Sequence, residues 1–397
     1  MPGKSQKKSK VTKSERGVCT IFAVGDTSPP NKSPNSIFAG VKDVLREADI
    51  RFCQAERVFT KRGSYHRYGF GHHSRREPQT ANAYKAAGFD VVSTAGNHSG
   101  DWGHDGFVDT VKTIEKLGIR SIGSGQDIQR AREPAIFETN GVRVGFLAYA
   151  SVIPPQTWAT EEQSGVAPMR INTYYEPYEY QPGGPARVVT IPFDEDVQAM
   201  QADIRKLRRQ VDCVVVSHHW GIHGVPRPLA QYQPTVARHA VEAGGDVILG
   251  HHSHCLQGVE IMRHAGRTAV VFYGLGNFAM PAVASRPQMH HCAPMGVYTY
   301  EDAYYRPLMA GHVVDTYARF WVEACIARIE AGKSGVKRVS IMPTFVPSMA
   351  AGQPRRVLSK EKKFRDILAH MRWASEGLPG APEFKPVGDE IQVYNRS

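Results

Sequence analysis

Two segments constrain this chain more than any others: residues 211–221 (VDCVVVSHHWG) and 246–257 (DVILGHHSHCLQ). In each, an apolar run rich in Val and Ile ends abruptly in a cluster of His. Short continuous apolar runs read as strands buried on both faces. The carboxyl ends of such strands are where α/β folds place their ligands. Residues 88–98 (GFDVVSTAGNH) repeat the pattern with Asn and His, and residues 19–26 (CTIFAVGD) repeat it with Asp. Four strand ends carrying Asp, Asn and His predict one metal site, assembled from parts distant in sequence.

The donor set has a definite chemistry. Asp26 closes the first strand in a Gly-Asp turn, and Glu56 closes the second. Asn97 and His98 follow the third. His218 and His219 lie in SHHWG; His251, His252 and His254 lie in GHHSH. Carboxylate, amide and imidazole together suit a divalent transition metal such as Zn, Mn or Fe. His252 and His254 are two residues apart, so in extended backbone they point the same way and can converge. A lone Asp after Gly is usually a turn residue, so the weight rests on the ordered set rather than on any member.

Between these ends the chain alternates. Residues 18–26 and 48–56 read as strands. Ile37, Val41, Val44, Leu45 and Ala48 fall at helical spacing between them, with Ser36 as the expected N-cap. A short helix is expected near 80–87, a strand at 89–94 and a helix through Phe107, Val111, Ile114 and Leu117. Strands at 143–149, 212–217, 246–249 and 268–273 alternate with a helix starting near Asp194 and a helix at 234–243. Segments 319–328 and 336–342 read as a returning strand pair, and 359–374 as a final helix. The fold class is therefore α/β, with mixed layering. Residues 152–193 and 279–316, rich in Pro, Tyr, Met and His, interrupt the alternation and are read as loop insertions over the site. The domain organisation expected is a basic tail (1–17), one domain (18–350), and a helix with an extension (351–397) packing on it.

Composition excludes several classes. No stretch of about 18 apolar residues occurs, so no membrane span is expected. The net charge of +11 comes partly from residues 1–17, with six basic residues and one acidic, and from 355–365 (RRVLSKEKKFR). Both read as solvated charge. The positive field favours anionic substrates without naming one, and no nucleic-acid partner is expected. The six Cys show no CxxC spacing, and Cys19, Cys213 and Cys325 lie in apolar runs, which fits a reducing, cytoplasmic compartment. The segment AGKSG at 331–335 has Ala327 where a P-loop needs Gly, and no HExxH occurs.

The ordered set GDTSPP, GFDVVSTAGNHSGDWGHDGFVDTV, HHWG, GHHSHCLQGVE and YGLGNF resembles the CapA family (capsule and poly-γ-glutamate synthesis type) of the calcineurin-like metallophosphoesterase superfamily. The resemblance covers about residues 18–350. It implies a four-layer α/β/β/α sandwich around two divalent metal ions. It assigns Asp26, Glu56 and His254 to one metal. Glu56, Asn97, His219 and His252 go to the other, with Glu56 bridging. His98 becomes the catalytic His, with Asp101 beside it; His218 and His251 are second choices, as substrate contacts. The chain departs from the broader superfamily at Ser28, where a His is usual, at Glu56 in place of Asp, and at Ser99 in place of an acid. His72 and His73 are the candidates to fill the gap at Ser28. His223, Arg227, Tyr298, Tyr304, Tyr305 and Arg306 are further candidate substrate contacts.

Such a site supports hydrolysis by a metal-activated water, with no Ser or Cys nucleophile. Phosphoester chemistry is expected first. An amide or peptide-type hydrolase acting on a small molecule or acidic polymer is the alternative, and a non-catalytic metal-binding subunit of a capsule assembly is the third. An oligomer is left open.

Overall fold

The computed structural model describes residues 16–65, 75–177, 179, 186–281 and 320–396. Residues 1–15, His72, His73, Tyr298, Tyr304, Tyr305, Arg306 and most of the 279–316 insertion lie outside the described residues. From the amino end the principal strands are β1 (Cys19–Thr27), β2 (Ile50–Ala55), β3 (Val91–Ser93) and β4 (Arg120–Ile122). There follow β5 (Ala135–Thr139), β6 (Val142–Ala150), β7 (Cys213–His219), β8 (Val247–His251), β9 (Val259–His264) and β10 (Arg267–Phe272). Then come β11 (Asn277–Ala279), β12 (Glu323–Gly332), β13 (Gly335–Phe345) and β14 (Glu390–Asn395). The main helices are α1 (Gly103–Glu115), α2 (Asp194–Arg208), α3 (Tyr232–Glu242) and α4 (Lys362–Ser375).

These strands build two sheets. One runs β14-β13-β12-β1-β2-β3-β4, with β11 also paired to β1; the other runs β9-β10-β8-β7-β6-β5. In the first, β1 to β4 are parallel, and β12 returns antiparallel beside β1. In the second, β6, β7, β8 and β10 are parallel.

Side-chain alternation along each strand explains the layers. Cys19, Ile21 and Ala23 of β1 face Val144, Phe146, Cys213, Val215 and Val247 of the other sheet. Phe52 and Phe146 stack across that gap, ring centres 6.1 Å apart. The alternate residues Phe22 and Val24 face outward onto Phe38, Leu45 and Tyr84. On the far side, Val214, Val216 and Ile248 pack against Met200 and Ile204 of α2 and Val236 and Ala240 of α3. Three apolar interfaces thus separate four layers, the α/β/β/α sandwich expected. Phe364, Ile367 and Met371 of α4 join the inter-sheet core, each such side chain contributing about 1.5–3 kcal/mol of burial.

Several local expectations need correction. The helix read at 37–48 is a 3₁₀ turn (Pro34–Ser36) followed by a four-residue helix (Lys42–Leu45) preceded by Val41, not capped by Ser36. Gly40 shows why: a Cβ there would meet the Pro354 carbonyl oxygen at 2.5 Å, so the segment is pressed against backbone far along the chain and turns instead. The insertion at 152–193 is not all irregular. It contains an antiparallel hairpin, Ile171–Pro177 with Ala186–Pro192, that leaves Tyr174 and Tyr175 exposed. Strands β4, β5, β9, β11 and β14 are additional to those expected.

Candidate metal centre

The carboxyl ends of β1, β2, β7 and β8 meet at one point. Asp26 reaches it because β1 passes so close to residue 276 that a Cβ on Gly25 would lie 2.0 Å from the Gly276 oxygen. Only glycine permits that crossing. Asp26 is 1% exposed, and its Oδ2 accepts from the His252 backbone N–H at 3.2 Å. Glu56 follows the last residue of β2 and is also buried. Carboxylate oxygens of Asp26 and Glu56 and a ring nitrogen of His219 lie within 4.8 Å of one another.

The other expected ligands surround this trio. His219 Nε2 stands 3.0 Å from Asn97 Oδ1 and 3.9 Å from Glu56 Oε2. His254 Nε2 stands 3.6 Å from Glu56 Oε1, and its Nδ1 is 3.3 Å from Asp26 Oδ2 and 2.7 Å from Asn277 Oδ1. The His252 ring centre is 5.1 Å from that of His219. Donor atoms about 2.1 Å from a common ion stand roughly 3.0–3.4 Å apart, so these spacings are close to those of a coordination shell.

The backbone delivers His252 and His254 at a cost. Their φ angles are +86° and +56°, in the left-handed region that branched and bulky residues avoid. Strain of order 1–3 kcal/mol per residue persists only where surrounding structure fixes the conformation, and it concentrates at functional sites.

Electrostatics set the candidate ligands in a usable state. Burial, and then the neighbouring His residues, holds the His219 and His252 imidazoles well below their usual range, hence neutral and able to coordinate. Burial also acts to lower His254, but its bond to Asp26 and the two carboxylates outweigh this and raise it. Burial, reinforced by Asp26, pushes Glu56 up. Both Glu56 oxygens and Asp26 Oδ1 are buried with no hydrogen-bond partner among the described residues. Buried carboxylate oxygens are nearly always satisfied, so their orphaning fits a divalent cation between them.

His98 sits at the rim. Its Nδ1 is 2.7 Å from Asp101 Oδ2, and Asp101 is completely buried. Asp101 accepts from His98 Nδ1–H and so orients the ring. His223, exposed, stands over the cluster, its ring centre 5.0 Å from His254 and 5.8 Å from His252.

Two expected contacts are not brought here. His218 follows the opposite face of β7, as alternation demands, and stacks on Trp220 (4.7 Å) and Tyr149 (5.7 Å) in the helix-side layer. Arg227 is turned to α4, donating to the Trp373 carbonyl (3.0 Å) and Glu376 (2.8 Å). His251 faces the inter-sheet core against Phe52, with Nδ1 3.6 Å from Asp26 Oδ1. At the gap, Ser28 Oγ accepts from Arg76 Nη2 at 3.2 Å. Sequence reasoning missed Asn277, which anchors His254, and Trp321, whose ring lies 4.8 Å from the His254 ring. The Asn277 signal was present in YGLGNF, after the apolar run that ends in β10. Trp321 carried none.

The model of the bacterial capsule synthesis protein family PGA_cap matches residues 8–282 of this chain. That is well over half of its 397 residues, and the chain belongs to that family. Among its relatives, the capsule biosynthesis protein CapA of Bacillus anthracis is 29% identical over 208 residues, covering 52% of this chain and 44% of CapA. The PGA biosynthesis protein CapA of Bacillus subtilis (strain 168) is 26% identical over 248 residues, covering 62% and 57%. The chain spans about half the length of the curated relatives it matches. A distant likeness also joins it to the calcineurin-like phosphoesterase YfkN of B. subtilis, with 13% identity and a TM-score of 0.33 over 86% of this chain and 89% of that one.

Proposed function

We propose that the chain is a metal-dependent hydrolase that holds two divalent ions (Mn, Zn or Fe) and acts on an anionic substrate. The observation that carries this reading is Glu56, whose two buried oxygens have no hydrogen-bond partner among the described residues, though they lie between Asp26, His219 and His254. When bound, the metals would lower the pKa of a coordinated water and polarise the scissile group. Asp26, Glu56 and His254 would hold one ion; Glu56, Asn97, His219 and His252 the other. Asp101 fixes the His98 ring, and His98 Nε2 protonates the leaving group or steadies charge on it. Phosphoester cleavage is the first reading. The names of the relatives, which concern capsule and PGA biosynthesis, favour amide cleavage in an acidic polymer as the second. We assign the protein to the cytoplasm, a reading supported by five free, buried Cys. Among the described residues no helix is long and apolar enough to cross a membrane.

Metal analysis of the purified protein tests the site. Less than half an equivalent bound, with no uptake on reconstitution, sinks the reading. The loaded protein is then assayed on bis-p-nitrophenyl phosphate and on γ-glutamyl and simple amide substrates. His98→Ala should retain metal and lose about 10²–10⁴-fold in kcat. Full activity there refutes the role of His98, and silence on every substrate with a protein partner co-purifying favours a binding subunit.

A further inference from the structure

Directly after Glu56 stands a second oddity of charge. Arg57 is 9% exposed. Its Nη1 donates to the Glu56 carbonyl oxygen at 2.8 Å, and among the described residues its Nη2 has only the weak acceptor Met280 Sδ at 3.9 Å. Its Nε is buried with no hydrogen-bond partner among the described residues. A guanidinium has five N–H donors, and leaving such a charge buried without an anion is expensive.

The carboxylates nearby do not resolve this. Glu56, Asp101 and Asp26 all act on Arg57 electrostatically, yet among the described residues none forms an ion pair with it. Glu56 and Asp26 keep orphaned oxygens of their own. Arg76 lies on the same side, held by Ser28 Oγ (3.2 Å) and the Pro29 carbonyl (3.1 Å). Burial and then Arg57 push Arg76 down to about 10, so the two guanidiniums feel each other. Divalent ions on Asp26 and Glu56 would add positive charge to a centre that already holds two guanidiniums, and Arg57 has no ion-pair partner among the described residues to offset its own.

We propose that Arg57 is a substrate-binding residue, whose buried guanidinium takes an oxyanion of the substrate, a carboxylate or a phosphate oxygen, beside the metal centre. This rests on the hydrolase reading, because the oxyanion belongs to the molecule cleaved there. A planar guanidinium binds two oxygens of such a group in parallel, which Lys cannot do. Arg57 therefore sets specificity for charged over neutral substrates, with Arg76 adding to the field.

The test titrates inorganic phosphate and, separately, glutarate into manganese-loaded and metal-free protein by calorimetry. Arg57→Met should weaken at least one anion by tenfold or more, with metal content and melting temperature kept, and Arg57→Lys should recover part of the loss. The anion that loses more identifies the oxyanion as phosphate or carboxylate. Binding of both anions to Arg57→Met within twofold of wild type overturns the proposal, as does a wild type that binds neither. If neither variant folds, the wild-type crystal structure with each anion decides. An anion oxygen within about 3.2 Å of Arg57 Nε upholds the proposal, and anions bound only elsewhere overturn it. Failure of the wild type to take up manganese sinks the hydrolase reading instead, and the metal-free titration then judges Arg57 by the same criterion.

Discussion

At the amino-terminal ends of β7 and β8, Asp246 is 1% exposed, and every demand of its carboxylate is met. Val214 N–H donates to it at 2.8 Å, Arg267 Nε at 3.1 Å, and Arg208 Nη1 more closely still. Five residues and about 17 Å along the same strand lies the other end, where Glu56 and Asp26 are just as buried and have orphaned oxygens. Burial of an acid thus says little about function. What separates a structural carboxylate from a candidate ligand is whether the fold also supplies its partner.

The comparison can be broken at four points. The largest effect is expected from Asp246→Ala, which strands two half-buried guanidiniums and a strand N–H. Urea unfolding should show a loss of about 3 kcal/mol, with bound metal unchanged; a loss below 1 kcal/mol would place Asp246 among surface pairs. Chelation comes next. At a free metal concentration a hundredfold above Kd, stripping should cost about 2.7 kcal/mol, and Asp246→Ala should show the same increment. Glu56→Gln should lose that increment altogether. In metal-free protein it should gain about 1–2 kcal/mol, since a buried carboxylate whose oxygens have no hydrogen-bond partner among the described residues is removed. A destabilised metal-free Glu56→Gln would mean that Glu56 is structural after all.

The smallest effect concerns the buried imidazole on the far face. Burial, with His251, pushes His218 down to about 3, against an ordinary 6.5. The unfolded chain therefore binds a proton that the folded one refuses, and stability is lost as pH falls below 6.5 toward the folded value. His218→Phe should remove that loss. At pH 5.5 its penalty relative to neutral pH should be about 1.2 kcal/mol smaller than that of wild type in metal-free thermal melts. An unchanged penalty would show that His218 does not titrate in this window.

The candidate ligands Asp26, Asn97, His219 and His252 could be picked out because each follows an apolar run, and such runs have few alternatives to a buried strand; Glu56 ends the more polar run IRFCQA. In the structure, alternation along β7 puts His219 and His218 on opposite faces; in the sequence the family resemblance alone separated them. Arg57 was not legible. A basic residue after Glu reads as a solvated pair, and only the packing of Met280 and the β2 end over it reveals an unmet charge. The helix at 37–48 failed for a related reason. Ile37, Phe38, Val41 and Leu45 are buried as the spacing implied, but the nearby backbone at Pro354, far along the chain, decides the local shape.

The return of β12 to lie beside β1 has a consequence for how the protein is made. Asp26 and His252, which touch, are separated by 226 residues. At 5–20 residues per second the first must wait roughly 10–45 s on the ribosome before the second exists. The central strand of the first sheet stays uncovered on one side for longer, until residues 323–332 emerge to pair with it. During synthesis this chain therefore presents an unpaired strand edge and an unfinished acidic pocket together. Its need for protection is greatest well before its last helix is made.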